Sequence, residues 1–350
     1  MRLLALAVLA VAASLGPSLA TAADEYERLY AQGVAALERD DIPAARAAFE
    51  RALALRPDSP RAHFHLAQVL IRERRLEPAL DHLRACLEAD LRDAQALYLR
   101  AVILTELKRL PEAAEALDRA VQIDPRQPRF HHQRGLLLRL QGRPAEAALA
   151  FAEAGKLDAG NALFPYEEGV ALFDARQHGR ALAAFERAAR LEPKRTDLQN
   201  YIGSCHHVRG EWDLAERAFG KALAAEPGNA RSRFGLGVVA LARGDLESAG
   251  RHLERAAALD PQNAQIHYRL GRLRAMQERL GDAAAEFERA LALKPQFPRA
   301  RYNLAITYQR LGRPADARRE EEAFRAQQTT EHAAPRTGGE LQFDLPEEPP

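Results

Sequence analysis

Small and large apolar residues recur along this chain with a period of 34 residues. Counted from Tyr26, nine repeats follow one another without insertion and end at Glu331. Place 8 of every repeat is Gly or Ala, place 20 is always Ala, and place 24 is Phe or Leu in the first eight repeats. Places 20, 24 and 27 have the i, i+4, i+7 spacing of the buried face of an amphipathic helix. The second half of each repeat is therefore predicted to be a helix.

Prolines mark where the predicted helices begin and end. Proline bars the continuation of a helix but is tolerated at the first helical position, where the missing N–H costs nothing. Place 32 carries Pro57, Pro125, Pro193, Pro227, Pro261 and Pro295. The segment between the two helices of a repeat carries Pro43, Pro78, Pro111, Pro144 and Pro314. Each repeat is thus helix, turn, helix, turn, and the small residues at places 8 and 20 are expected to let the two helices cross closely.

The period, the rows of small residues and the phase of the prolines resemble the tetratricopeptide repeat family over residues 26–331. The resemblance implies an all-α fold, an α-solenoid in which nine 34-residue helix–turn–helix repeats form a right-handed superhelix. Such an array is one elongated domain rather than two globular ones. In the ninth repeat the second helix is polar from Arg318 to Glu322, as expected of a repeat that caps the array.

The middle repeats depart from the family pattern. Place 4 is often Trp in the family and never in this chain, and place 7, usually apolar, is charged at Arg100, Arg134 and Glu168. Pro165 stands at place 4 of the fifth repeat. Because proline fits poorly inside a helix, we expect it to delay or distort the start of that helix.

The resemblance also implies a function, because tetratricopeptide arrays bind peptides or proteins in a concave groove lined by the first helix of each repeat. Place 5 belongs to the groove stripe and is aromatic in seven of nine repeats. The candidate partner-binding residues at this place are Tyr30, Phe64, Tyr98, His132, Tyr166, Phe234, Tyr268 and Tyr302. Such rings offer apolar contact area with little loss of entropy, although they also support packing between repeats. Phe64 and Phe234 are expected to pack, and the tyrosines to expose their hydroxyls.

Positive charge is concentrated in the groove-facing places of the last three repeats. The further candidates there are Arg231, Arg269, Arg272, Arg299, Asn303 and Arg310. Earlier repeats mix arginines with acidic residues at the same places. An acidic peptide or protein would therefore be steered to this end of the groove and paired with guanidinium groups. The alternative is a solvated face of an arginine-rich chain.

Both ends of the chain lie outside the repeats. Residues 1–22 have the charged start, apolar run and small-residue cleavage pattern of a secretory signal peptide, with cleavage expected after Ala22. This predicts a periplasmic or secreted protein; the alternative is a retained segment that anchors the protein in the inner membrane, facing the periplasm. Residues 332–350 are acidic and rich in proline, which predicts a disordered tail. Such a tail could fold back on the basic end of the groove and compete with the partner.

The net charge and the sequence motifs argue against several classes of function. The chain has 50 Lys and Arg against 49 Asp and Glu, which argues against a nucleic-acid partner. Two cysteines, 119 residues apart, form neither a disulfide framework nor a metal knuckle. Clusters such as His131 and His132 lack the i, i+3 or i, i+4 spacing of ligands on one helix. We therefore predict no catalytic residue, no cofactor and no metal site.

Three functions remain open at this stage. The favoured one is a non-catalytic scaffold of the bacterial cell envelope that binds peptide or protein partners in the groove. The alternative is an accessory subunit of a polysaccharide synthesis or secretion machine, or of another envelope assembly machine, which contacts the polymer through the groove aromatics. An enzyme is the weakest hypothesis, because no segment outside the repeats is long enough for a catalytic domain.

Overall fold

A computed structural model describes residues 23–331, which contain 18 α-helices and no β-strand. The predicted signal peptide and the predicted tail lie outside these residues. Two helices fall in each of the nine repeats, which confirms the predicted all-α class of helix–turn–helix repeats.

The helices follow the predicted period closely. In chain order the pairs are α1 (23–38) and α2 (Ile42–Leu55), α3 (Pro60–Arg72) and α4 (Leu76–Ala89), α5 (Ala94–Glu106) and α6 (Leu110–Ile123), α7 (Pro128–Leu140) and α8 (Pro144–Leu157), α9 (Leu163–Asp174) and α10 (His178–Leu191), α11 (Asp197–Val208) and α12 (Trp212–Ala225), α13 (Ala230–Ala242) and α14 (Leu246–Leu259), α15 (Ala264–Met276) and α16 (Leu280–Leu293), and α17 (Pro298–Arg310) and α18 (Pro314–Glu331).

Contacts divide the chain into two units, with unit 1 ending at Leu137 and unit 2 beginning at Leu138. Within a unit each helix packs against the next one along the chain, from α2 to α6 in unit 1 and from α8 to α18 in unit 2. In unit 2 the first helices of successive repeats also touch, from α11 through α13 and α15 to α17. Each unit is therefore a stack of helix pairs in which repeats contact their neighbours in sequence, the packing that defines a solenoid.

The small residue at place 8 makes room for the large residue at place 24 of the same repeat. A Cβ atom added to Gly169 or Gly271 would lie 2.7 Å or 2.6 Å from the ring of Phe185 or Phe287. These rings are buried. The close crossing at place 8 was expected from sequence, and the structure shows that the ring at place 24 is what the missing side chain accommodates.

The turn between the two helices of a repeat has the same backbone conformation throughout. Place 15 has a positive φ, between 58° and 77°, in all nine repeats. Glycine occupies it at Gly142, Gly210, Gly244 and Gly312, because glycine adopts this conformation without steric cost. The other five repeats place Asp, Arg, Lys or Glu there. The tight turn is thus imposed by the packing of the two helices as much as by the turn residue.

In five repeats the side chain at place 4 forms a hydrogen bond to the preceding repeat, which we call the latch. It accounts for one departure from the family pattern. The side chain at place 4 donates a hydrogen bond to the carbonyl oxygen six residues earlier, at place 32 of the preceding repeat. His63, His131 and His267 do so through Nε2 at 2.8–3.1 Å, and Arg233 and Arg301 through a guanidinium nitrogen at 3.1–3.2 Å. The latch satisfies a carbonyl at the end of a second helix, where intrahelical donors are missing.

The fifth repeat has no such latch. Helix α9 begins at Leu163, at place 2 rather than place 1, but α11 begins at the same place without a proline, so the later start does not test the expected effect of Pro165. The charged place 7 of this repeat is also accommodated, because Glu168 is buried and its carboxylate accepts a hydrogen bond from Arg187.

Candidate functional site

The candidate binding surface is the first-helix face, which we define as the surface formed by places 2, 5, 6, 9 and 12 of the first helices. These places lie on one side of each first helix, away from places 4 and 7, because each residue turns by 100°. All the candidate residues from the sequence belong to this face or to its edge at place 13.

In unit 1 the candidate rings at place 5 are largely packed. Tyr30 is only 9% exposed and lies edge-on to Phe49, with ring centres 5.9 Å apart. Tyr98 is half-buried and stacks on Phe130 at 5.1 Å, and its burial raises the pKa of its hydroxyl. Phe64 and His132 are also half-buried, and burial lowers the pKa of His132.

In unit 2 the candidate rings differ widely in exposure. The Tyr166 hydroxyl lies 3.1 Å from that of Tyr201, and burial together with this hydrogen bond raises the pKa of Tyr166. Phe234 is buried, as expected, but Tyr268 is buried as well, 3% exposed, because its ring packs against Phe297 at 5.0 Å. Tyr302 is 52% exposed. The sequence predicted that the tyrosines at place 5 expose their hydroxyls; Tyr302 is exposed, whereas Tyr30 and Tyr268 are buried.

Arginine side chains lie over several of these tyrosine rings. The guanidinium carbon is 4.3 Å from the ring centre for Arg61 over Tyr30, 5.3 Å for Arg129 over Tyr98 and 4.0 Å for Arg195 over Tyr166. Such cation–π contacts stabilise both partners and hold the arginines along the face. Sequence reasoning missed this pairing, although its signal is present as an Arg 29 to 31 residues after a place-5 Tyr.

The basic end predicted for the last three repeats is weaker than the charges suggested. Arg269 is buried, because it lies beside the Tyr268 ring and the neighbouring first helix. Arg310 is exposed but forms an ion pair with Glu278, which lies in the turn of the preceding repeat.

The other basic candidates lie on the first helices α13, α15 and α17. Arg231 lies 5.7 Å from the Tyr201 ring centre, Arg272 is half-buried, and Arg299 is exposed. The Asn303 amide donates to the backbone carbonyl of Arg299 at 2.8 Å. The structure thus retains a basic strip along unit 2, with part of its charge buried or neutralised.

A recessed polar cluster interrupts the aromatic row in unit 2. Asn200, at place 5 of the sixth repeat, is 1% exposed and its Oδ1 accepts a hydrogen bond from Ser232 at 2.8 Å. His207, two turns further along α11, is 6% exposed. Among residues 23–331 neither Asn200 Nδ2 nor His207 Nδ1 has a hydrogen-bonding partner, and both atoms are buried. These are two of eight buried side-chain atoms without a partner in the described residues, and because both lie on the first-helix face of α11 they make this cluster a candidate ligand site.

The electrostatics of this cluster are set by burial and by Arg269. Burial, together with the positive charge of Arg269, lowers the pKa of His207 to about 4. His207 is therefore neutral at physiological pH, and the cluster presents an amide donor, a neutral imidazole and a buried guanidinium. The sequence gives one signal for it, the Asn that stands where seven other repeats have an aromatic residue.

The lowered pKa makes a prediction about stability. Below pH 6.5 the unfolded chain takes up a proton at this position, whereas the folded chain resists it until about pH 4. The wild-type protein should therefore lose up to about 3 kcal/mol as pH falls from 6.5 to 4, since one pKa unit corresponds to about 1.4 kcal/mol. Urea denaturation of wild type and His207→Gln from pH 4 to 8 measures this. The free energy of unfolding of the variant should fall less between pH 6.5 and pH 4 than that of wild type. The same pH dependence in both proteins would contradict the lowered pKa of His207.

The two cysteines both lie in described helices. Cys86 and Cys205 are buried free thiols, and burial raises the pKa of each to about 12, which disfavours the nucleophilic thiolate. Over residues 23–331 no group of three or more His, Cys, Asp or Glu side chains is arranged to hold a metal ion. In the same range no helix has both the length and the apolar character needed to cross a bilayer.

The fold and the first-helix face together define a helical-repeat protein whose distinctive surface runs along its first helices. Tetratricopeptide repeat models match residues 128–159, 166–216, 208–264, 240–298 and 274–333. The chain belongs to the tetratricopeptide repeat family. A model described as anaphase-promoting complex, cyclosome, subunit 3 also matches residues 38–120.

Solved structures share this fold at low sequence identity. The anaphase-promoting complex assembly Cut9–Hcn1 is 14% identical, with a TM-score of 0.54, and the match covers 87% of this chain and 94% of that one. PilF of Pseudomonas aeruginosa is 23% identical, with a TM-score of 0.51, over 61% of this chain and 97% of that one. The comparison with curated proteins gives no match.

Proposed function

We propose that the protein is a non-catalytic scaffold that binds a peptide or protein segment along the first-helix face, with the recessed cluster around Asn200 as its central contact. The observation that carries this proposal is the pair of buried, unpartnered nitrogens, Asn200 Nδ2 and His207 Nδ1. A buried polar atom without a partner costs about 1–3 kcal/mol, and a bound ligand that supplies the partner recovers this energy.

The surroundings of the cluster favour a partner with carbonyl or carboxylate oxygens. Asn200 Nδ2 is a donor, and Arg231 and Arg269 lie on the neighbouring first helices α13 and α15. Tyr166 and Tyr201, whose hydroxyls are in contact, provide amphipathic rings beside it. Extended peptides present backbone carbonyls, and acidic side chains add carboxylates that pair with guanidinium groups. An acidic peptide or protein segment is therefore the proposed ligand.

A place in the bacterial cell envelope is part of this proposal. Its support is the signal-peptide pattern of residues 1–22. A polysaccharide partner is less favoured, because polymer binding by stacking needs exposed rings in succession, whereas Tyr30, Phe234 and Tyr268 are buried.

The proposal predicts that Asn200→Leu separates binding from stability. The change removes the unpaired amide and also removes the acceptor of the Ser232 hydroxyl, two effects that oppose each other, so the free energy of unfolding should stay within about 1 kcal/mol of wild type. Binding should fall at least about tenfold, since a charged or amide hydrogen bond to the ligand is worth about 1.5–3 kcal/mol.

The measurement uses dodecapeptides selected from a displayed random library against the wild-type protein, with affinities determined by fluorescence anisotropy. Arg217→Ala is the control, because Arg217 is exposed on the second helix α12, away from the first-helix face. Acidic peptides that bind wild type and Arg217→Ala equally but bind Asn200→Leu weakly would support the proposal. Equal binding by all three proteins, or selection of oligosaccharides over peptides in a parallel titration, would overturn it.

A further inference from the structure

A pocket of about 290 Å³ lies in unit 2 among α8, α9 and α10. Pro165 and Glu168 line it from α9, at places 4 and 7. These places are on the side of the first helix away from places 2 and 9, so the pocket is separate from the first-helix face and from the Asn200 cluster. Nothing in the proposed scaffold function uses it.

The pocket lies where other repeats place their latch. In five repeats a His or Arg at place 4 donates to the carbonyl at place 32 of the preceding repeat. In the fifth repeat the residues at these two places are Pro165 and Ala159, and both line the pocket. Proline has no side-chain donor and fills less space than His or Arg. The repeat therefore leaves open the volume that a latch side chain occupies elsewhere, next to a carbonyl oxygen that can accept a hydrogen bond.

The walls of the pocket define what can enter it. Gly155, Ala159, Pro165 and Leu191 form an apolar lining. A group that enters must bury apolar surface against this lining, and it gains a hydrogen bond if it carries an N–H donor for the Ala159 carbonyl. A planar aromatic ring with an N–H group has both properties.

The charges around the pocket distinguish between charged and uncharged groups that carry an N–H donor. Lys156, Arg187 and Arg190 line it; Lys156 is paired with Glu153 at 2.8 Å, and Glu168, the one carboxylate among the lining residues, is bonded to Arg187, which leaves the positive charge of Arg190 at the pocket. A second cation, such as an imidazolium or a guanidinium, would be repelled by this surplus of positive charge. An uncharged indole has a negative ring face that attracts cations and keeps its N–H donor.

We propose that this pocket binds a tryptophan side chain of a partner protein, which takes the position of the latch that the fifth repeat lacks. The indole ring would lie between Pro165 and Leu191, with its N–H directed to the Ala159 carbonyl and its face toward the surrounding cations. The site gives the scaffold a second, independent point of attachment on the opposite side of unit 2.

The test uses N-acetyl-L-tryptophanamide as the probe and NMR titration of the full chain. We expect saturable binding in the millimolar range, with shifts confined to residues around Ala159 and Leu191. Pro165→Trp should fill the pocket from within, abolish probe binding and raise the melting temperature. Leu149→Trp adds the same ring at an exposed position of α8 outside the pocket lining and should keep the wild-type affinity; it serves as the matched control.

Two further measurements test the proposal without relying on the folding of Pro165→Trp. Arg190→Glu alters an exposed residue, so it should fold normally and weaken binding severalfold, which covers a failure of Pro165→Trp to fold. N-acetyl-L-phenylalaninamide, which lacks the ring N–H, should bind at least about threefold more weakly. Equal binding to Pro165→Trp and Leu149→Trp, no saturable binding, or displacement of the probe by inorganic phosphate would overturn the proposal. None of these results depends on the Asn200 site, so the two proposals fail independently.

Discussion

Replacing Phe219 by Ala is expected to lower the free energy of unfolding by about 3–5 kcal/mol, because it removes a fully buried aromatic side chain and leaves a cavity. Its ring contacts two repeats. A Cβ added to Gly203, in the same repeat, would lie 2.9 Å from the ring, and one added to Gly235, in the next repeat, would lie 2.5 Å from it. The neighbouring backbones are therefore shaped to this ring and cannot easily collapse into the space it leaves.

Urea denaturation followed by circular dichroism measures this effect. Leu149→Ala is the matched control, because Leu149 is 60% exposed on α8 and its loss should cost less than about 0.5 kcal/mol. A loss at Phe219 no larger than the control's would show that the ring at place 24 does not form the core between repeats.

The second large effect concerns a substitution that ordinarily stabilises a helix. Gly271→Ala should destabilise the protein by about 1–3 kcal/mol, because the added Cβ would lie 2.6 Å from the buried ring of Phe287 and force it to move. Helix propensity alone would give a gain of about 0.5–1 kcal/mol for the same change.

Gly220→Ala is the control for this prediction. Gly220 lies in the middle of α12, and a Cβ there would meet no atom within 4 Å, so the change should show the gain from propensity alone. Opposite signs for the two substitutions in thermal denaturation are the expected outcome. A gain at both positions would mean that the Phe ring at place 24 does not require glycine at place 8.

Much of this fold could be read from the sequence, because a repeat array presents the same packing problem nine times. The alanines, the small residues and the prolines predicted the period and the two helices of every repeat. The exposure of individual side chains was harder to predict, because it depends on neighbouring residues that differ from one repeat to the next. Tyr268 has the same place as Tyr302, yet it is buried because Phe297, at the last place of its own repeat, packs against it.

The candidate sites show the same limit. Asn200 was visible in the sequence as a gap in the aromatic row, but its importance rests on burial and on a missing hydrogen-bond partner, which only the packing of α11 and α13 determines. Pro165 was visible as an irregularity, and its expected consequence was a delayed helix. The pocket that it leaves depends on Ala159, Leu191 and the surrounding cations, residues that no single motif connects.

Photo-crosslinking can show directly whether a partner binds along the first-helix face of unit 2. The experiment uses a selected acidic peptide that carries a benzoylphenylalanine at each position in turn, and mass spectrometry identifies the linked residues. We expect crosslinks on α9, α11, α13 and α15, centred near Tyr166 and Arg231 and lost in Asn200→Leu. Crosslinks confined to the second helices α10, α12 and α14, or unchanged by that substitution, would contradict this expectation.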